Sequence, residues 1–324
     1  MTTTSIIIVN WNGREHLDAC LRSVFAQTYK DFEVIMVDNG STDDSVSFVE
    51  KNFPDVQIIP LKRNTGFGEG NNIGIHKALE NPDIRFVAAL NNDTEVHAKW
   101  LEQLVSAMGN DTQVGTVVGK ILFFYERTKF DAAGDFLLPG TLKVVTRGYG
   151  QIDSGQYDRE EECFSARAGA ALYRREMLED ICQDGDFFDR HYFAYIEDTD
   201  LSIRARLFGW KIMYTPKAMV YHKVAATTKK MSYIFRRYQS GRNRVFTAIK
   251  DLPVGLWLPS LKGRDSVDAD YRIRFKQSFW IYCKIMVSLA LSLPRLLRQR
   301  RDIRRKTKLA RQDIKNWERR FGLR

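Results

Sequence analysis

Two stretches of the chain carry residues able to do chemistry together. "ALNNDTEV" (89–96) ends an apolar run in Asn91, Asn92, Asp93 and Thr94. Asn91 and Asp93 bracket one residue. Both present oxygen to a divalent ion, Mg²⁺ or Mn²⁺, that would also take diphosphate oxygens. Such an ion offsets the charge growing on a departing diphosphate. A plain turn uses the same residue types. In "YIEDTDLSIRARLF" (195–208), Glu197, Asp198 and Asp200 crowd the start of a helical pattern. The helix dipole favours carboxylates there, which accounts for one or two of them. Three, with aromatics just before, suit a general base beside an acceptor pocket. His222 follows in "VYHK". A lone His after a strand is ordinarily structural, and becomes a metal ligand if the fold carries it to Asp93.

Further polar clusters end other apolar runs. Asp38, beside Asn39, offers a carboxylate that accepts from the imide N–H of uracil or thymine; the alternative is a cap on the helix that follows. Asn10 and Trp11 flank the same position, with an indole face for packing. "NTGFGEGNN" (64–72) contains G-x-G-x-G. Glycines admit a phosphate to backbone N–H groups at a helix N-terminus, and a tight helix entry uses them equally well. The spacing is not the G-x-G-x-x-G of dinucleotide binding, it follows the third apolar run, and no G-K-[ST] ending is present. A nicotinamide-dependent oxidoreductase is therefore disfavoured.

The elements that position these clusters read as alternating strand and helix. "SIIIVN" (5–10), 32–38, 56–64 and 84–93 are short apolar runs of the kind covered on both faces. Residues 14–28 place Leu17, Leu21, Val24 and Phe25 at helical spacing, and 66–80 enter another helix. This order implies a mostly parallel, Rossmann-like sheet with helices on both faces, whose ligands sit beyond the carboxyl ends of the strands. "NWNG", "VDNGS", "RNTGFG" and "LNNDT" all fall at those ends.

Composition sets the frame. The 324 residues are 44% hydrophobic and 28% charged, enough for a sizeable core and too polar for a multi-span membrane protein. Four scattered cysteines fit a reducing compartment, and the N-terminus lacks the basic region of a signal peptide. The net charge of +10 is uneven: residues 229–324 hold 26 of the 50 Lys and Arg but 7 of the 40 Asp and Glu. An acidic body (1–228) and a basic helical extension (229–324) follow from that contrast. In the extension, 230–252 read as helix. "FWIYCKIMVSLALSLP" (279–294) is apolar but short of a span, which suits a helix lying against a bilayer. In 295–324, Ala310, Ile314, Trp317 and Phe321 recur at helical spacing among Arg and Lys, the pattern of a helix on an anionic membrane surface; packing against the acidic body is the alternative. No nucleic-acid-binding motif is present.

Taken together, "SIIIVNWNG", "VDNGSTDDS", "NTGFGEGNNIG", "LNNDT", "GDFFDRHYFAYIEDTDLSIRARLFGW" and "VYHK" resemble the family 2 glycosyltransferases, inverting enzymes of the GT-A fold, in particular rhamnosyltransferase-like members. The resemblance covers residues 4–223. It implies a nucleotide-sugar-binding catalytic domain at 1–228. Asp38 then contacts a pyrimidine, with Asn10, Trp11, Asn64, Gly66, Asn71 and Asn92 around the donor. Asn91 and Asp93 fall on the family's D-x-D motif, and His222 on a histidine that completes the metal shell in some members. Asp198 falls on the catalytic base, with Gly169, Glu197 and Asp200 about the sugar and acceptor, and Gly185 and Asp189 in the stretch before it. Asn91 departs from the usual Asp, and Asn71 stands where many relatives carry an Arg facing the diphosphate. The implied partners are a dTDP- or UDP-linked sugar and a saccharide or lipid-linked acceptor at the inner face of the cell membrane. A non-catalytic nucleotide-binding or membrane-adaptor protein on the same fold is the competing reading.

Overall fold

A computed structural model describes residues 2–139, 141–224, 231–261 and 275–323, without the side chains of 259 and 275–278. The first half alternates as expected: β1 (Thr4–Asn10), α1 (Arg14–Phe25), β2 (Phe32–Asp38), α2 (Ser45–Asn52), β3 (Val56–Pro60), α3 (Phe67–Leu79), β4 (Phe86–Asn91), β5 (Thr94–Val96) and α4 (Trp100–Met108). The second half adds β6 (Val114–Phe123), β7 (Phe130–Ala132), β8 (Asp135–Leu137), β9 (Val144–Thr146), β10 (Glu161–Glu162), β11 (Ala170–Arg174), α5 (Arg175–Ile181), α6 (Glu197–Leu207) and β12 (Lys211–His222). The extension comprises α7 (Tyr233–Asp251), α8 (Trp257–Leu261), α9 (Phe275–Lys306), α10 (Arg311–Lys315) and α11 (Trp317–Phe321).

The main sheet runs β10-β12-β6-β11-β4-β1-β2-β3. Strands β4, β1, β2 and β3 are parallel, β12 is parallel to β6, and β11 is antiparallel to both of its neighbours. Side chains alternate between two apolar layers with the period of the pleat. Ile6 and Ile8 of β1 face α1 and α4, while Ile7 faces the layer of α3, α5 and α6. Val34 and Met36 of β2 divide from Ile35 and Val37 in the same way. Both faces are covered, which is why these strands read as continuous apolar runs and not as alternating ones. Helix α3 lies especially close: a Cβ on Gly74 would stand 2.4 Å from Ile7 Cγ2.

The extension packs on the body instead of standing off it. Ile314, Trp317 and Phe321 are buried, and Phe164 stacks edge-on against both aromatic rings at centroid distances of 5.3 and 5.7 Å. The backbone N–H of Leu323 donates to the Leu137 carbonyl at 2.8 Å. The apolar stripe of Ile314, Trp317 and Phe321 is thus used inside the molecule, with Ala310 left exposed, which corrects the expectation that it faces a membrane: the aromatic slot around Phe164 is an apolar surface that competes for it. Helix α9 is longer than the sequence suggested, at 32 residues with Pro294 inside it. By length and composition it could cross a membrane, and little of its apolar window is buried.

Trp317→Ala should therefore lower stability by about 3–5 kcal/mol, the range for emptying a buried aromatic site. The midpoint of urea unfolding measures it. A change within about 0.5 kcal/mol, normal for an exposed position, would contradict the docked arrangement.

Candidate active site

The strand ends bring most of the expected residues to one edge of the sheet. Asn10, at the end of β1, donates to Asp38 Oδ1 (3.0 Å) at the end of β2 and accepts from Asn92 Nδ2 (2.7 Å) beyond β4. Asp38 also accepts from the backbone N–H of Ser41 at 3.0 Å. It does not cap α2, which begins at Ser45; it shapes the turn after β2. Trp11 is half-buried in the same row. Asn39 then ties this turn to the glycine segment: its Nδ2 donates to Asn64 Oδ1 (3.1 Å) and the Gly66 carbonyl (3.0 Å), and its Oδ1 accepts from the Thr65 N–H (2.8 Å).

The glycines of 66–74 are explained by packing. Gly66 has φ +95°, and a Cβ there would lie 2.4 Å from the Phe193 carbonyl oxygen. Gly70 and Gly74 are crowded by Val9 and Ile7. Asn71, expected near the donor, turns inward: it is buried and donates to the Phe67 carbonyl of its own helix at 2.9 Å. Its place on the inner face of α3 follows from the helical period that also buries Gly70 and Gly74.

His222 does reach Asp93. The short strand β5 pairs with the end of β12, setting His222 opposite Thr94. His222 Nε2 then lies 3.2 Å from Asp93 Oδ1, and its Nδ1 lies 2.8 Å from Asp131 Oδ2. Burial opposes charge on the imidazole, but the two carboxylates outweigh it and hold the ring at about 9. Arg167 Nη1 binds the other oxygen of Asp131 at 3.1 Å. Among the described residues no three His, Cys, Asp or Glu side chains form a ready-made metal cage. Asp93 and His222 nonetheless fit as a ligand pair: neighbouring ligands of a small divalent ion, each at about 2.1 Å, stand roughly 3 Å apart. Asp131 on the far ring nitrogen is the usual orienting partner of a metal-bound histidine.

Asp198 joins the same edge through residues 167–169. The Ala168 backbone N–H and the Arg167 guanidinium both lie near enough to lower the pKa of its carboxyl. Next door, the Gly169 carbonyl accepts from the Asn91 N–H at 2.8 Å, and a Cβ on Gly169 would lie 2.8 Å from Asn91 Nδ2. Burial raises the Asp198 carboxyl above its ordinary range, although the Thr199 N–H, Arg167 and the Ala168 N–H limit the rise. Glu197 beside it is buried, and burial plus the charge of Asp198 lift it to about 8. Of two adjacent carboxyls, Glu197 is pushed the further up, which favours Asp198 as the one to ionise. Asp200 is the second expected residue that turns inward. It is fully buried, bonded to Tyr192 Oη (3.0 Å), Arg204 Nε (3.0 Å) and Lys250 Nζ (2.6 Å), so it braces α6 and does not line a pocket.

The sequence reading missed Asn39, Asp131, Arg167 and the bracing residues on α7. Asn39 was legible from its place in "VDNGS". Asp131 and Arg167 lie in the 124–168 stretch of short strands, where no motif points to them.

A family model described as Glycosyl transferase family 2 matches residues 5–182. The chain is 24% identical over 293 residues to the N-acetylglucosaminyl-diphospho-decaprenol L-rhamnosyltransferase of Mycobacterium tuberculosis, a match spanning 79% of this chain and 87% of that one. It is 22% identical to the putative glycosyltransferase EpsH of Bacillus subtilis, over 73% of this chain and 65% of that one. Among solved structures it is similar to S. aureus TarS 1–349 in complex with UDP (TM-score 0.53, 18% identity, 79% of this chain and 68% of that one). It is also similar to GalNAc-T7 with UDP, GalNAc and Mn²⁺ (TM-score 0.60, 17% identity, 77% and 48%). These structural likenesses speak for the fold, which is GT-A.

A protonated Glu197 makes stability depend on pH. Unfolded, it ionises near its ordinary 4.5; folded, it holds its proton to about 8. Its contribution is full below pH 4.5 and is lost as pH rises to about 8, because unfolding releases a proton in between. Glu197→Gln should remove that decline. Melting temperatures across this range should converge at the acid end and separate in favour of the variant toward pH 8; a gap independent of pH would mean that Glu197 is already ionised.

Proposed function

Because the chain belongs to glycosyltransferase family 2, we propose that it moves a sugar from a pyrimidine nucleoside diphosphate to an acceptor hydroxyl with inversion, using Asp198 as the base. The observation that carries this reading is the bridge of residues 167–169. It joins Asp198 on α6 to Asn91 at the end of β4 and, through Arg167 and Asp131, to the His222–Asp93 pair. An acid–base group and a place for the leaving group thereby share one edge of the sheet.

Asp198 takes the proton of the acceptor hydroxyl as that oxygen attacks the anomeric carbon. The carbon–oxygen bond to the diphosphate breaks on the opposite face, so configuration inverts. Asp93 and His222, with Asn91, would hold a divalent cation that supplies positive charge to the departing diphosphate when bound. Asp38, Asn10 and Trp11 serve the base, with Asn64, Gly66 and Asn92 nearby. Gly169 and Glu197 border the acceptor side. Neither end suffices alone: a base without support for the leaving group removes only part of the barrier.

The donor and acceptor classes follow the relatives' names. A rhamnosyl transfer onto a lipid-linked sugar diphosphate is the activity named for the M. tuberculosis relative, and UDP occupies two of the structural neighbours. We take the donor as dTDP- or UDP-linked, and the acceptor as a saccharide or lipid-linked saccharide used in cell-surface polysaccharide synthesis. Work at the inner face of the membrane is supported by α9. Phe279, Trp280, Tyr282, Met286, Val287 and Leu291 are exposed on it, with Arg301, Arg304 and Arg305 exposed beyond them. An apolar stripe continued by cations suits an anionic bilayer surface.

Incubation with a panel of nucleotide sugars and Mg²⁺ or Mn²⁺ should release one nucleoside diphosphate. Asp198→Asn should keep donor affinity and lose nearly all transfer, at least about a hundredfold for a general base; full transfer by this variant would remove Asp198 from the role. On vesicles, Leu291→Glu should weaken sedimentation with phosphatidylglycerol and leave turnover of a soluble acceptor unchanged. Equal sedimentation of parent and variant would take α9 out of membrane contact.

A further inference from the structure

The segment before Asp198 is conformationally costly. Phe193, Tyr195 and Ile196 have φ of 63°, 70° and 74°, and none is glycine. Such conformations are unfavourable for residues other than glycine and persist only when surroundings impose them. Here every carbonyl from His191 to Ile196 is engaged. That of Phe193 accepts from the Phe67 N–H (2.6 Å) of the glycine segment, and that of Ile196 accepts from the Asp200 N–H (2.9 Å) in α6. The others converge on two consecutive residues of α7. Asn243 Nδ2 donates to the carbonyls of Tyr192 (3.0 Å), Ala194 (3.0 Å) and Tyr195 (2.7 Å). Arg242 Nη2 donates to those of His191 (2.8 Å) and Tyr192 (3.2 Å).

The chemistry of Asn243 is specific to this task. It is fully buried. Its Oδ1 accepts from Arg242 Nε (3.0 Å) and Nη2 (2.8 Å), which turns the amide so that both of its N–H bonds point at the loop. An aspartate of the same shape would set a carboxylate against three carbonyls. One turn further along α7, Thr247 meets Tyr192 Oη at 2.8 Å, and Lys250 binds Asp189 (3.0 Å) and Asp200 (2.6 Å) on either side of the loop.

We propose that Asn243 is a positioning residue for the transfer reaction: it holds the strained 193–196 loop so that the base on α6 and the glycine segment on α3 keep one fixed spacing. The α7 helix, beyond the portion that the family model matches, is then part of the catalytic machinery. This rests on the reading of Asp198 as the base.

The test compares Asn243→Ala and Asn243→Asp with Ile303→Ala, a buried truncation on α9 that takes no part in the hydrogen bonds to the loop. Melting temperature, calorimetric affinity for UDP and for dTDP, and kcat with the donor and acceptor that the parent uses are measured for each. Both Asn243 variants should bind nucleotide within about threefold of the parent and lose about a hundredfold in kcat, as expected of a small misplacement of reacting groups. Ile303→Ala should lose melting temperature and keep kcat. The proposal is overturned if folded Asn243→Ala has parental kcat, if Ile303→Ala loses kcat in proportion to its melting temperature, or if neither Asn243 variant folds, which would make the residue structural only. Asp198→Asn measured alongside separates the two claims. Were that variant active, the base assignment would fall; were it dead beside a fully active Asn243→Ala, only the positioning role would.

Discussion

Lys250 is an ammonium group with essentially no contact with water, and the placement of Asp198, the proposed base, depends on it. A lone buried charge is far too costly to keep, so its carboxylate partners must be present and well aimed. They are Asp189 and Asp200, one before the strained loop and one within α6. Arg204 and Arg295 complete the network, and burial with the charge of Asp200 holds Asp251 well above the usual carboxylate range. Removing one partner from such a group typically costs about 3–5 kcal/mol, because another charge is stranded. Three elements, α6, α7 and α9, are thus pinned to one point, and Asp198 stands two residues from it.

Much of the first half was legible because both of its sheet faces are covered. Continuous apolar runs ending in polar clusters fix strand direction, and strand direction fixes the edge at which ligands collect. The pairing of His222 with Asp93 was legible only as a condition, since nothing local tells a strand-end histidine which distant carboxylate it will meet. Asn71 and Asp200 show the opposite limit. Each has the right residue type in a motif-bearing stretch, yet the helical period rotates each toward packing and away from the edge. Asn243 lies in a stretch that reads as an ordinary basic helix; its role is set by the carbonyls it faces, and no spacing in α7 encodes them.

The extension was legible in charge and misread in part in its apolar residues. A helical stripe such as Ile314, Trp317 and Phe321 states that some apolar surface will receive it, not which one. Phe164, together with the Arg206 guanidinium over the Phe321 ring at 4.0 Å, forms that surface within the molecule. The stripe on α9 differs because its outward residues meet no such surface among the described residues, and many stay exposed. Two stripes with the same pattern therefore have different fates, decided by what lies opposite.

One reversal of strand direction explains how late residues reach an early site. Strand β11 lies between β4 and β6 and runs against both, so that Ala170 at its start stands beside Leu90 near the end of β4. The three residues before β11 are thereby delivered to the carboxyl edge: Gly169 to Asn91, Ala168 to Asp198, Arg167 to Asp131. A parallel β11 would have left them at the opposite edge, some five residues or about 16 Å away at the rise of a strand. Strand β12 supplies the other late group by the normal route: it runs parallel to β6 and carries His222 out at the same edge, where β5 receives it. The polarity of two strands therefore does what no local motif can. It sets the Asp198 carboxyl and the Asp93–His222 pair on one side of one sheet.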